Sequence, residues 1–281
     1  MLRRNKFFIR FRSAVQFIST KLADGLRIAS ALGTGRAMTD SLAAPPPLHP
    51  DDALFLDFDG TLVELTDRPD AIDVPERLPH LIARVADRLQ GRVGIVSGRS
   101  IADLERHAGP VAVALSGSHG IELRLPGRKD EPLDLPEGLD TARAEVARFA
   151  AAAESLLVED KTAGIAVHYR QAPGEESRVA EFMGALAERT GLRLQRGKMV
   201  AELLPPGGDK GAAVRRIMAE PAFAAARPLF VGDDLTDEHA FEAAAALGGG
   251  GILVGPPRET AARWRLDGVP AVIAWLEAAA A

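Results

Sequence analysis

The chain has no cysteine among its 281 residues. Disulfides, thiolate zinc sites and a cysteine nucleophile are therefore excluded. The composition fits a reducing compartment, so the expected location is cytoplasmic. Nor is there an uninterrupted apolar run of about 18 residues, the length that a membrane-spanning helix needs. No membrane partner is expected on that ground. A positive charge surplus is missing too: 34 Lys and Arg stand against 39 Asp and Glu, giving −5 at pH 7. That balance argues against a general nucleic-acid binder. With 47% hydrophobic residues, the chain can bury a sizeable core, in one large domain or two small ones.

The charge is unevenly spread. Residues 1–37 hold eight basic side chains against Asp24 alone, a net +7, so the rest of the chain carries −12. Arg10 and Arg12 interrupt the apolar stretch that a secretory signal requires. The segment reads as a basic tail, or as sequence upstream of a start at Met38, ahead of the alternative of an amphipathic helix for a membrane surface. Ala43-Ala44-Pro45-Pro46-Pro47 then reads as a linker. Residues 1–50 are thus expected to be an extension and linker.

Beyond it, short apolar strands alternate with helical periodicity, the pattern of a parallel sheet covered on both faces. Strands are expected near 53–58, 93–96, 111–115, 229–231 and 252–254. Helices are expected from Pro75 to Gly91, from Asp209 towards Ala219, at 236–246 and at 269–279. Ser100 is placed to cap a further short helix. Between 121 and 204 the rhythm changes to strand pairs with two helices, near 139–154 and 175–190. The expected fold is α/β: a doubly wound, mainly parallel sheet core built from 51–120 and 205–281, with residues 121–204 as an inserted α+β cap.

Asp57-Phe58-Asp59-Gly60-Thr61-Leu62 sits at the end of the first strand. Two carboxylates two residues apart at a strand end suit a shared divalent cation and phosphoryl chemistry. One can attack phosphorus to form an aspartyl-phosphate, while the other handles a proton. The glycine allows a sharp turn and close backbone approach, and the threonine offers a hydroxyl to a phosphate oxygen. Ser97, Lys210 and Asp233 also fall at strand ends or a helix start. Ligands of open α/β sheets bind outside the carboxyl ends of the strands, so these residues are expected to converge. Read alone, Ser97 is a turn residue, Lys210 a first-turn lysine and Asp233-Asp234 a helix cap. Asp237 adds another carboxylate to that turn, and acids packed so closely repel unless a cation balances them.

The expected roles follow. Asp57 is the nucleophile and Asp59 the proton donor and acceptor. Ser97, Thr61 and Lys210 hold the phosphoryl oxygens. Mg2+, a hard cation that takes few carboxylates plus phosphate and water, is expected on Asp57, the main-chain carbonyl of Asp59, and Asp233. Asp234 and Asp237 supply supporting acidity.

These motifs, in this order, resemble those of the haloacid dehalogenase superfamily of phosphotransferases, and the resemblance covers nearly all of 51–281. The insert lies where that superfamily carries its C2-type caps. Within it the chain resembles the trehalose-6-phosphate phosphatases, through Ser97-Gly98-Arg99, Gly117-Ser118-His119-Gly120, Val158-Glu159-Asp160-Lys161, His168-Tyr169-Arg170, Gly197-Lys198-Met199-Val200 with Glu202, and Gly232-Asp233-Asp234-Leu235-Thr236-Asp237-Glu238. The resemblance implies a sugar-phosphate substrate, with Arg99, His119, Glu159, Lys161 and Glu202 on the sugar. It also implies a synthase partner, expected on a separate chain. Sucrose-, mannosylglycerate- and glucosylglycerol-type phosphatases are the nearest alternatives.

Overall fold

A computed structural model describes residues 42–66, 72–153, 155–197 and 199–281. The basic segment 1–37 and Lys198 lie outside the described residues. The large sheet is built from β1 (Asp52–Leu56), β2 (Val93–Val96), β3 (Ala114–Gly117), β4 (Glu122–Arg124), β9 (Arg227–Gly232), β10 (Gly250–Val254) and β11 (Trp264–Leu266). Its order is β11-β10-β9-β1-β2-β3-β4, and every pairing is parallel except β3 with β4. From β1 the chain crosses to β2 and β3 on one side, and later fills β9 and β10 on the other. The order therefore reverses between β1 and β9, the crevice where open α/β sheets bind ligands.

All five residues of β1 are buried, as expected of a central strand covered on both faces. Leu54 and Leu56 point to one side, with α1 (Leu78–Arg88), α2 (Ile101–Ala108) and α7 (Val269–Ala279). Ala53 and Phe55 point to the other, with α5 (Lys210–Met218) and α6 (Glu238–Ala246). Helix α1 takes its place through Leu78, Leu81, Ile82 and Val85, one buried stripe at helical spacing. Phe55 is fully buried, and truncating such a side chain to alanine costs about 3–5 kcal/mol.

A second, four-stranded antiparallel sheet comprises β5 (Leu157–Lys161), β6 (Gly164–His168), β7 (Arg193–Gly197) and β8 (Val200–Leu204), in the order β5-β6-β8-β7. Helices α3 (Gly138–Ala150) and α4 (Glu176–Thr190) cover the face that carries Ile165, Val167, Ala201 and Leu203.

Three local differences from the sequence expectations have physical causes. The third strand starts at Ala114 instead of Val111, because 111–113 bend at the sheet's end and Val111 stays partly exposed. The edge strands β4 and β11 are only three residues long, too short for an alternating pattern to register. β4 also carries the large sheet past residue 121, where the insert was expected to begin. Residues 43–48 are not a free linker. Ala43 O accepts from Arg265 N at 3.0 Å, Pro46 O accepts from Trp275 Nε1 at 3.0 Å, and Leu48 is buried.

Candidate active site

Asp57 extends β1 by one step, its N–H donating to Val231 O of β9 at 2.9 Å. Ser97 does the same beyond β2, donating to Ser116 O at 2.9 Å. Asp233 follows the last residue of β9. Lys210 opens α5, whose N-terminus is capped by Asp209 Oδ1 accepting from Ala212 N at 2.6 Å. The strand ends thus bring together side chains that are 176 positions apart in the sequence.

The Lys210 ammonium lies 2.7 Å from Asp57 Oδ1 and 2.6 Å from Asp237 Oδ1, and all three side chains are buried. Asp237 is fixed further by a reciprocal cap with Asp234, its Oδ2 accepting from Asp234 N at 2.9 Å. Carboxylate oxygens of Asp57, Asp233 and Asp237 all lie within 4.8 Å of one another. Burial pushes the Asp57 carboxyl well above the usual carboxylate range; Lys210 pulls it down, and Asp237 and Asp233 push it up. Asp233 is pushed up to about 7, first by burial and then by Asp237. Burial lowers Lys210, but Asp237 and Asp57 outweigh it and hold the ammonium more firmly charged than usual.

One ammonium faces three converging carboxyl groups, which can all ionise only if a further cation joins them. Two buried oxygens, Oδ1 of Asp233 in this cluster and Oγ1 of Thr61 in the neighbouring turn, have no hydrogen-bond partner. An all-oxygen acidic set with orphan acceptors fits a hard divalent cation. Thr61 sits in the tight turn after β1, closed by Gly60 N to Val63 O at 2.8 Å and Leu62 N to Phe58 O at 2.9 Å. Gly60 has φ +77°, and a Cβ there would overlap the Asp233 carboxylate. Only glycine admits both the turn and that approach.

Asp59 is not one of the three clustered acids. It accepts from Arg99 Nε at 2.6 Å and Arg99 Nη2 at 2.8 Å, a bidentate pair. Arg99 also donates to Asp103 Oδ2 at 2.6 Å and lies over the Phe58 ring. The residue that the sequence assigns to the sugar thus holds Asp59, and Asp237, expected only in support, joins Asp57 and Asp233. Ser97 Oγ accepts from Arg99 N at 3.1 Å. The exposed Asp234 caps the turn that carries Asp237.

The second sheet contributes its helix-free face. Register aligns Glu159, Ala166, Glu202 and Gln195 in one row across all four strands. Lys161 Nζ lies 3.0 Å from Glu202 Oε1, and His119 Nε2, from the large sheet's side, lies 3.6 Å from Glu202 Oε2. Burial would raise Glu202, but Lys161 and then His119 outweigh it and lower the carboxyl to about 2. Burial likewise opposes the lowering of Glu159, which His168 Nε2 at 2.8 Å and Lys161 produce. Lys161 is raised against its burial chiefly by Glu202.

His119 stands in a 3-10 turn, Ser118–Gly120, where Ser118 and His119 both adopt left-handed backbone, at φ 48° and 56°. Such conformations cost about 1–2 kcal/mol per non-glycine residue and persist only where the surroundings hold them. His168 and Glu122 are absent from the expected site. The signal for His168 is period two: it shares a face with Ala166. The signal for Glu122 is an acid between Ile121 and Leu123.

A mainly parallel sheet whose switch-point strand ends carry Asp57, Ser97 and Asp233, with Lys210 at the start of α5 and an α+β insert, defines a phosphatase of the haloacid dehalogenase type. The family model for trehalose-phosphatase matches residues 55–270. The chain belongs to the trehalose-phosphatase family. A trehalose-6-phosphate phosphatase of Escherichia coli is 36% identical over 246 residues, covering 85% of this chain and 91% of that one. A probable trehalose-phosphate phosphatase of Sinorhizobium fredii is 36% identical over 207 residues, covering 73% of this chain and 78% of that one. A crystal structure of a trehalose-6-phosphate phosphatase related protein superposes with a TM-score of 0.70 at 25% identity, covering 81% of this chain and 96% of that one. Among the described residues no helix is long and apolar enough to cross a membrane.

Proposed function

We propose that the chain hydrolyses trehalose 6-phosphate to trehalose and phosphate, through an aspartyl-phosphate on Asp57 and with Mg2+ as cofactor. The observation that carries this reading is the extent of the family match, which spans the strand-end carboxylates and the whole second sheet. Relatives named for this substrate align with 73% and 85% of the chain.

Asp57, Asp233 and Asp237 would hold the cation, with the main-chain carbonyl of Asp59. When bound, Mg2+ neutralises charge on the phosphoryl oxygens. Asp57 attacks phosphorus. Asp59 gives a proton to the departing sugar oxygen and later takes one from the water that cleaves the aspartyl-phosphate. Lys210, Thr61 and Ser97 take the phosphoryl oxygens, where oriented donors in a water-poor site stabilise developing charge. The segment that follows β4, up to Leu204, acts as a cap over the core that carries the seven-stranded sheet. A disaccharide offers many hydroxyls and no charge beyond its phosphate, so Glu159, Lys161, Glu202 and His119 recognise it by hydrogen bonds. Arg99 completes the site through Asp59. The cysteine-free composition supports a cytoplasmic enzyme, and a separate synthase chain would supply the substrate.

The test is phosphate release across disaccharide and monosaccharide phosphates, with and without Mg2+. Trehalose 6-phosphate with Mg2+ is expected to give the highest kcat/KM. A panel led by a monosaccharide phosphate would overturn the substrate. Acid quenching with 32P-labelled substrate should leave label on the wild type and none on Asp57→Asn; an unlabelled wild type would overturn the covalent step.

A further inference from the structure

Glu122 is a buried carboxylate that the chemistry above does not use. Burying a carboxylate is costly unless its oxygens are well bonded. Both are. Oε2 accepts from Ile101 N at 3.0 Å, at the first residue of α2, and Oε1 is bonded to the Ser118 hydroxyl. The main-chain carbonyl of Glu122 accepts from Ser116 Oγ at 2.9 Å.

Those partners belong to two loops that lie on each other. Ser118 N donates to Arg99 O at 2.8 Å, and His119 N donates to Ser97 O at 3.0 Å. The His119 imidazole lies against Gly98 so closely that a Cβ there would sit 2.7 Å from its ring atoms. One loop, 97–101, carries the hydroxyl of Ser97 and the Arg99 guanidinium. The other, 116–120, carries His119, which approaches Glu202 of the second sheet. The left-handed backbone of Ser118 and His119 needs an outside restraint, and the Glu122 carboxylate bonds the first of those residues directly.

We propose that Glu122 is a positioning residue: it bolts the Ser118–His119 turn to the start of α2, and so aims His119 at the sugar. This rests on His119 being a sugar contact. It reaches substrate only through His119, and its effect is therefore larger on a sugar phosphate than on a small aryl phosphate.

Glutamine keeps the connectivity. Its carbonyl accepts from Ile101 N and its amide donates to the Ser118 hydroxyl, which is both donor and acceptor. Glu122→Ala is expected to lower kcat/KM for trehalose 6-phosphate at least about tenfold, through KM more than kcat, and to lower hydrolysis of p-nitrophenyl phosphate by less than about threefold. Glu122→Gln should restore most of the loss. Ser118→Ala removes one arm only and should fall between them; it carries the test if Glu122→Ala does not fold. A second measurement does not depend on the substrate: the imidazole 1H–15N signal of His119, assigned with His119→Gln. It should shift or broaden in Glu122→Ala and Ser118→Ala, and stay in place in Glu122→Gln.

Equal losses on both phosphates with no rescue by Gln would make Glu122 a purely structural cap of α2 and overturn the proposal. So would an unmoved His119 signal in Ser118→Ala and in a folded Glu122→Ala. If the wild type prefers another sugar phosphate, the substrate reading fails by itself, and the His119 signal then decides on Glu122.

Discussion

The Lys210 ammonium lies 2.7 Å from Oδ1 of Asp57, and both side chains are almost wholly buried. Removing one partner of such a pair leaves an uncompensated buried charge, at a cost of about 3–5 kcal/mol. Lys210→Met is expected to lower the unfolding free energy by that amount and to abolish turnover. Urea unfolding followed by circular dichroism measures the first. A loss under about 1 kcal/mol would mean that the three acids keep little charge once the ammonium is gone.

The same surplus of acid predicts metal-linked stability. A ligand bound by the native state alone stabilises it by about 2.7 kcal/mol at a hundred times its Kd. Mg2+ titrated into metal-stripped protein should raise Tm, and Asp233→Asn should remove most of that rise. Equal rises in the two proteins would place the cation elsewhere.

Asp57→Asn keeps shape and removes the nucleophile, so turnover should vanish with the fold intact. Asp59→Asn should lose more on an alkyl phosphate than on an activated aryl phosphate, because only the poor leaving group needs a proton. Equal losses would take proton transfer away from Asp59.

Glu202 gives a pH signature. Its carboxyl falls from 4.5 to about 2 on folding. The stability this contributes is complete above pH 4.5 and is lost as pH falls from about 4.5 to about 2. Glu202→Gln should therefore flatten the stability–pH curve in that window relative to wild type, in parallel denaturation series. Identical slopes would show that Lys161 and His119 do not hold the charge.

Deleting residues 1–37 should leave folded, active enzyme. Deleting 1–50 should not, because it removes buried Leu48 and the carbonyls that accept from Arg265 and Trp275. Thermal melts of the two truncations compare them directly, and equal Tm values would make 43–48 dispensable.

Much of the fold is legible in the sequence because a strand covered on both faces must be an apolar run. The polar residues that follow such a run must lie at the sheet's end, so the sequence alone marks Asp57, Ser97 and Asp233. What a run of letters does not carry is which charge meets which. Asp59 and Arg99 are 40 positions apart, and their bidentate pair depends on a rotamer, not on a pattern. Asp237 joins the acids through one turn of 3-10 helix, which brings it back over Gly232. Glu122 is hidden for another reason: a three-residue edge strand has too little periodicity to mark an inward acid as unusual.

The short outer strands have a consequence for the protein in solution. A sheet's rim exposes a ladder of unspent main-chain donors and acceptors, on which a stray strand can crystallise. Here the seven-stranded sheet ends on both sides in strands of three residues, Glu122–Arg124 and Trp264–Leu266. Each rim offers a foothold of about 10 Å, and β11 and β4 carry Arg265, Glu122 and Arg124 within it. Neither is long enough to seed a growing fibril, so crowding should not stack this large sheet rim to rim.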